Sequence, residues 1–328
     1  MIAKKINGVV SFLFLLLVCI LLIGCKETWD TIDPENFKTW EYFTTQNGLG
    51  SDSVTALAED DQGNIWVGTI NNGVSKYDGK EWIIYNEENG LLNDTVWSIA
   101  QDGNGFMWIG TNEGLSILVD DTWQHFAEFG CIYAILNDYH DHMWISTENY
   151  AVLEWDFQGW RIWYDKECEW CNYVNVLFED RERNIWFGTW GGLKKITNNR
   201  ITYYNTDNGF PGGIVWSMYQ DHWGNIWIGV SWASFVVRYD NRNFEAITLA
   251  NGFQLNLITS ISSDNEDNLW FGENDMGAIK YNGSLMKAYT VKNGLPGNLI
   301  TTILKDKEGY LWFGTMGGGA ARYMPGLN

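Results

Sequence analysis

The sequence predicts an all-β chain, a seven-bladed β-propeller with four antiparallel strands per blade and an N-terminal strand completing the last blade. Three observations predict it. A tryptophan preceded by an apolar residue recurs at Trp66, Trp108, Trp144, Trp186, Trp227, Trp270 and Trp312, at spacings of 42, 36, 42, 41, 43 and 42 residues. Six residues before each stands an aspartate: Asp60, Asp102, Asp138, Asp180, Asp221, Asp264 and Asp306. An Asn-Gly-Leu or Asn-Gly-Phe triplet follows at five of the junctions, beginning at Asn47, Asn89, Asn208, Asn251 and Asn293. A period near 40 residues with Trp and Gly punctuation is the rhythm of propeller blades.

Each unit divides into four short strands. The first ends at the aspartate, as in Val96-Trp97-Ser98-Ile99-Ala100. A turn such as Asp221-His222-Trp223-Gly224-Asn225 follows, rich in the residues that turn geometry favours. The second carries the tryptophan, as in Ile65-Trp66-Val67-Gly68-Thr69, and a Gly-rich link leads to a third, such as Gly73-Val74-Ser75-Lys76-Tyr77. Asp78-Gly79 is a hairpin signal before the aromatic fourth strand, Trp82-Ile83-Ile84-Tyr85. The repeat begins with a lone fourth strand, Trp40-Glu41-Tyr42-Phe43, and ends on a third near Ala321-Arg322-Tyr323. The lone strand is therefore expected to complete the last blade and close the ring, which removes exposed sheet edges. The repeated tryptophans are expected to pack between neighbouring sheets. The aspartates are expected to form turns.

Ahead of the repeats, residues 1–24 read as a secretory signal: Lys4 and Lys5, then a nearly unbroken apolar run from Val9 to Gly24. At 16 residues the run is short for a membrane span. It ends in Leu22-Ile23-Gly24-Cys25, which resembles a bacterial lipobox. That resemblance implies cleavage before Cys25 and a lipid on its sulfur. Residues 25–36 are then a lipidated tether, and residues 37–328 the propeller. Lys26-Glu27 is similar to the surface-export signals of Bacteroidota lipoproteins. The chain is expected in the bacterial cell envelope, on the outer membrane, held there through its lipid anchor only.

Charge and composition narrow the function. The chain has 41 acidic against 21 basic residues, a net charge of −20, which argues against nucleic acid as a partner. It argues equally against a polybasic grip on anionic lipid. Apolar residues make up 45% and include 20 Trp, ample for a buried core.

The phrases Gly63-Asn64-Ile65-Trp66-Val67-Gly68-Thr69, Asn184-Ile185-Trp186-Phe187-Gly188-Thr189 and Gly309-Tyr310-Leu311-Trp312-Phe313-Gly314-Thr315 resemble two-component regulator propeller repeats, as do the Asn-Gly-Leu/Phe loops. The resemblance covers about residues 37–326. It implies an extracytoplasmic sensor propeller, a kind frequent in gut Bacteroidota that sense glycan fragments. The large sensors carry two propellers' worth of repeats with a kinase and a DNA-binding segment, and here there are seven repeats alone. Recognition without output is the expectation, with any output falling to a separate sensor kinase or uptake system.

Links between second and third strands share one face with the blade-to-blade crossovers. Candidate ligand-binding residues there are Asn72, Asn112, Glu113, Glu148, Tyr150, Trp190, Trp232, Asn274 and Asp275. The second residue of each inner strand also varies, from threonine to Trp97, Tyr133, Asn175 and Trp216. Aromatic platforms beside amides and carboxylates suit a glycan, and aromatic contacts equally dominate protein interfaces. Trp97 and Trp216 either serve that platform or fill the central channel, whereas Trp190 and Trp232 are expected to be exposed.

No cofactor or metal is expected, and the reading leans away from an enzyme. His140, His142 and His222 fall in first-to-second turns, on the opposite face. The alternative is an envelope polysaccharide hydrolase or lyase using Glu113, Glu148, Glu273 and Asp275 for acid–base work. Streptogramin-degrading propeller lyases have a similar repeat rhythm but use a histidine with acidic metal ligands, and no histidine here falls on the loop face. Three cysteines follow Cys25. Cys131 precedes one inner strand, and Cys168-Glu169-Trp170-Cys171 replaces the next crossover triplet. A bridge from Cys131 to Cys168 or Cys171 would tie neighbouring crossovers together, with a local Cys168–Cys171 bridge as the rival. A redox role for that motif needs a helix N-terminus, which is not expected in an all-β chain.

Overall fold

A computed structural model describes residues 40–166, 168–231, 235–248 and 256–324. The signal segment, the tether with Cys25, Trp232 and the triplet at Asn251 lie outside the described residues, as does the Trp170 side chain. Among the described residues are seven sheets, each of four antiparallel strands. Blade 1 comprises Val54–Glu59, Ile65–Thr69, Val74–Tyr77 and Trp82–Tyr85, and the same order repeats through blade 6, which ends with Met286–Tyr289. Blade 7 takes three strands from the C-terminal end and its outer strand, Trp40–Phe43, from the start. Trp40 pairs with Tyr323 and Phe43 with Ala320. Blade 7 also grips blade 1 directly, where the Lys307 ammonium donates to the Asp60 carbonyl at 2.6 Å. The expected ring closure is the observed one.

The Asp–Trp pair does more than punctuate. In every blade the tryptophan Nε1–H donates to the aspartate Oδ2, at 2.7 to 3.1 Å. The other oxygen accepts the backbone N–H four residues on, at 2.8 to 3.0 Å, which closes the turn between first and second strands. One carboxylate thus satisfies both the indole it buries and the turn that brings the indole there. Each indole then packs against the next sheet: Trp66 on Val96 and Ile109, Trp186 on Val215 and Ile228, Trp312 on Val54 and Val67. Burial pushes the Asp60 and Asp264 carboxyls up, but hydrogen bonds from Trp66 and Asn64, and from Lys280, Trp270 and Asn268, outweigh it and leave both below the usual range.

The crossover triplets also have a physical reason. Each of the four described triplets forms a one-turn 3-10 helix, such as Thr45–Asn47, ending on a glycine in the left-handed region, Gly48 at φ 106°. The asparagine caps its own turn: Asn47 Oδ1 accepts from the Thr44 N–H, and Asn47 Nδ2 donates to the Tyr42 carbonyl at 2.7 Å. The following residue is a buried plug, as with Leu49, Leu91, Phe210 and Leu295.

Candidate functional site

One register irregularity builds the site. In every blade the inner strand carries a β-bulge at its second residue, so that residue is left out of the ladder. A bulge re-aims its side chain, and four of these residues, Trp97, Tyr133, Asn175 and Trp216, line one pocket. Opposite the bulge stands a glycine in six blades; at Gly68 a Cβ would lie 2.7 Å from the Val96 side chain of the next blade. In these six blades the glycine leaves room for the next inner strand, and in blade 3 a small residue, Ser146, takes its place.

What the bulge residue does depends on its chemistry. Thr55 and Thr259 each donate to a carbonyl of the next inner strand, at 2.5 Å to Val96 and 2.7 Å to Ile300. Asn175 donates likewise to Val215 at 2.9 Å. Trp97, Tyr133 and Trp216 are too large for that link, and they stay 36–42% exposed. With Tyr173, Asn175 and Trp190 they line a cup of about 350 Å3 on the loop face, spanning blades 2 to 5. Its far wall is ordered by hydrogen bonds. The Trp190 backbone N–H donates to the Tyr173 carbonyl at 3.1 Å, its indole donates to Asn175 Oδ1 at 3.2 Å, and its ring lies 5.2 Å from that of Tyr173.

Four of the sequence-derived candidates, Trp97, Tyr133, Trp190 and Trp216, come together in this cup, and Trp190 is exposed as expected. The others serve the loops. Asn72 donates to the Gly50 carbonyl at 2.6 Å, the Asn112 N–H bonds the Thr95 carbonyl, and the Glu113 N–H donates to the Thr111 hydroxyl. Glu148 accepts from the Cys131 N–H at 3.4 Å, and the Tyr150 ring packs against Phe129. Asn274 and Asp275 sit in the blade 6 link, where Glu273 Oε2 takes the Asp275 N–H at 2.7 Å. Trp232 lies outside the described residues. Tyr173 was missed; its signal is position, one residue before an inner strand and opposite the first residue of the link holding Trp190.

None of the acid–base candidates lines the cup. Glu273 is fully buried, and its carboxylate accepts four backbone N–H groups, from Asn256, Leu257, Asp275 and Met276. Neither Glu113, Glu148 nor Asp275 lines the cup. Among the described residues no group of three or more His, Cys, Asp or Glu side chains could hold a metal ion. His140, His142 and His222 occupy first-to-second turns, and His125 sits on an outer strand against the Ser116 hydroxyl.

The cysteines take the local pairing. Cys168 bonds Cys171, with Cα atoms 5.3 Å apart, and Cys131 is buried and free. The bridge from Cys131 to a neighbouring crossover is therefore not formed. A short 3-10 turn, Glu169–Asn172, starts directly after Cys168. The turn exists because Asn172 repeats the capping role of the triplet asparagine, accepting from the Asp165 N–H and donating to its carbonyl. Burial pushes the Cys131 thiol up to about 11, and burial with the neighbouring Cys131 and Glu148 pushes the Tyr133 phenol up to about 12, so both are neutral at ordinary pH.

Fold and site together define a closed repeat propeller presenting an aromatic cup on its loop face. The family described as two component regulator propeller matches at residues 48–71, 90–113, 170–191, 209–232 and 294–317. The chain thus carries five two component regulator propeller repeats. Each matched stretch runs from a crossover through the first two strands of a blade toward the second-to-third link. No curated protein matches the sequence significantly. Among solved structures, the extracellular domain of a hybrid two component system from B. thetaiotaomicron is 19% identical, with 87% of this chain covering 41% of that one at a TM-score of 0.70. The chain thus spans about two fifths of that extracellular domain. Virginiamycin B lyase from Staphylococcus aureus is 13% identical, covered over 87% of this chain and 98% of its own, with a TM-score of 0.71. YCF48 from Cyanidioschyzon merolae is 9% identical over 88% and 99%, with a TM-score of 0.65. At these identities the likeness is one of fold. Among the described residues no helix is long and apolar enough to cross a membrane.

Proposed function

We propose that this chain is a non-catalytic recognition propeller of the cell envelope whose loop-face cup binds a glycan. The observation that carries this reading is the convergence of Trp97, Tyr133, Tyr173, Trp190 and Trp216 around Asn175. Flat rings bury the C–H faces of a sugar, while the amide and the neutral Tyr133 hydroxyl address its hydroxyls. The cup holds no carboxylate among its lining residues, so it suits binding better than acid–base chemistry. The repeat family and the likeness to sensor extracellular domains support a sensor-like role, with a separate kinase or uptake system as the partner that would carry a signal onward.

The test is a glycan array on the folded protein, followed by calorimetry on the hits. Trp97→Ala and Trp216→Ala are each expected to weaken binding about tenfold or more, about 1.4 kcal/mol, with the melting temperature unchanged. No glycan hit, with a stable protein complex recovered from envelope extracts that the same variants abolish, would make the cup a protein-docking site instead. We further propose that residues 1–24 are removed and Cys25 carries the lipid; Cys25→Ser is expected to release the protein from the membrane fraction.

A further inference from the structure

On the opposite face the blades repeat a second motif, and one blade breaks it. In six blades a charged residue of the third strand stands directly across from the repeated tryptophan: Lys76, Glu154, Lys195, Arg238, Lys280 and Arg322. In blades 1, 4 and 6 the lysine ammonium lies over the indole, 5.2, 4.8 and 5.5 Å from its centre. The same ammonium pairs with the buried aspartate at 3.8, 3.7 and 2.8 Å. The chain thus places an alkylammonium between a π-face and a carboxylate three times over, an arrangement that satisfies both.

Blade 2 puts Ile117 across from Trp108. Asp102 there accepts the Asn104 and Phe106 N–H groups and the Trp108 indole, at 3.0, 2.9 and 3.0 Å. The asparagine that adds a side-chain amide in blades 1, 4, 5 and 6 is Phe106 here. Among the described residues no cationic side chain lies within 4.0 Å of the Asp102 carboxylate, as is also true of Asp221 and Asp306, but in blades 5 and 7 an arginine still stands across from the tryptophan.

Beside that carboxylate is a pocket of about 280 Å3, lined with Asp102 by Phe106, Phe126, Trp155, Phe157 and Trp160. The Trp160 ring stands edge-on to Trp108 and Phe126, 6.1 and 6.0 Å away, and Trp155 lies 5.0 Å from it. The corresponding grooves beside blades 1 and 6 are lined by the chain's own Lys76 and Lys280. Phe157 adds an independent sign. It sits in the left-handed region at φ 63°, at the hairpin position that holds Gly79 in blade 1 and Gly283 in blade 6, and it is 44% exposed. A bulky side chain there strains the backbone, and an exposed ring recovers little by burial. Local rules are broken in this way where a site requires it.

We infer that this pocket binds a ligand bearing a primary alkylammonium, the group that lysine supplies in the equivalent place in blades 1, 4 and 6. The ammonium sits beside Asp102 and Trp108, and its alkyl chain lies among Trp155, Phe157 and Trp160. The site is separate from the loop-face cup and does not depend on what the cup binds.

The experiment is calorimetric titration of the folded protein with n-butylammonium at fixed ionic strength, with tetramethylammonium and methylguanidinium as comparison cations. A saturable one-to-one isotherm is expected for butylammonium. Ile117→Lys supplies the missing ammonium from within; it is expected to raise the melting temperature and to weaken butylammonium binding about tenfold or more. Phe157→Gly relieves the strained φ, so it should fold at least as stably while binding more weakly, which separates loss of the site from loss of the fold. Absence of saturable binding to the wild type, or unchanged binding to Ile117→Lys, overturns the inference. Tighter binding of tetramethylammonium or methylguanidinium than of butylammonium overturns the assignment to a primary amine.

Discussion

Asp180 shows what a single residue carries in this molecule. Its carboxylate is buried, accepts from the Trp186 indole at 2.7 Å and from the Asn184 backbone and side chain, and pairs with Lys195. Asp180→Ala would leave those donors buried and unpaired. We expect a loss of about 3 kcal/mol or more in urea unfolding. Trp186→Phe removes one charge-assisted hydrogen bond and a little ring area, so its cost should be about half of that. Cys131 makes a second residue-scale expectation. Its thiol is buried and held up at about 11, so iodoacetamide at pH 8 should leave it unmodified in the folded protein and label it after denaturation. Labelling of the native protein at the rate of a free thiol would refute that.

At the scale of the element, the strand Trp40–Phe43 is the latch. Trp40 is buried, and its ring contacts Tyr289, Phe313 and Tyr323, with centroids 6.5, 5.4 and 4.8 Å away. Trp40→Ala should cost about 3–5 kcal/mol, the range for large core aromatics. Deleting residues 37–46 should leave blade 7 with three strands and an open edge, giving an aggregation-prone protein with a lowered melting temperature; a monomeric deletant that melts unchanged would refute the latch. This element was legible in the sequence because a lone fourth strand has no other place to pair. The Cys168–Cys171 turn was less legible. Spacing alone left three pairings open, and what selects the local one is Asn172, which caps the crossover as the triplet asparagines do and holds the two cysteines within one short turn.

For the whole molecule, pH is the informative variable. Burial raises the phenols of Tyr85, Tyr239, Tyr289 and Tyr323, the last to about 12. The unfolded chain would release these protons near pH 10, before the folded one does, so the folded state binds more protons over that interval. Stability conferred by these groups is complete below about pH 10 and is lost as pH rises toward their folded values. Alkaline unfolding should therefore coincide with tyrosinate absorbance near 295 nm and should be cooperative. The carboxyls of Asp60 and Asp264 work in the other direction: held below their usual range, they stabilise the fold above about pH 4 and lose that contribution as pH falls through their folded values. The net charge of −20 adds self-repulsion at neutral pH, so moderate salt should raise the melting temperature there.

The number of blades, the strand order, the latch and the face on which loops gather were determined by the sequence itself. Period and punctuation are local properties, and a closed ring of sheets is the arrangement that buries one tryptophan per unit. Only the tertiary structure decided which loop-face residues form a site. Trp97, Tyr133, Asn175 and Trp216 share one bulge position, yet whether that position reaches across to the next strand or opens into a cup depends on side-chain size against the spacing of neighbouring blades. The same holds for Asp102, because only the paired strands place Ile117 where blades 1, 4 and 6 have a lysine and bring the rings of blade 3 beside that carboxylate.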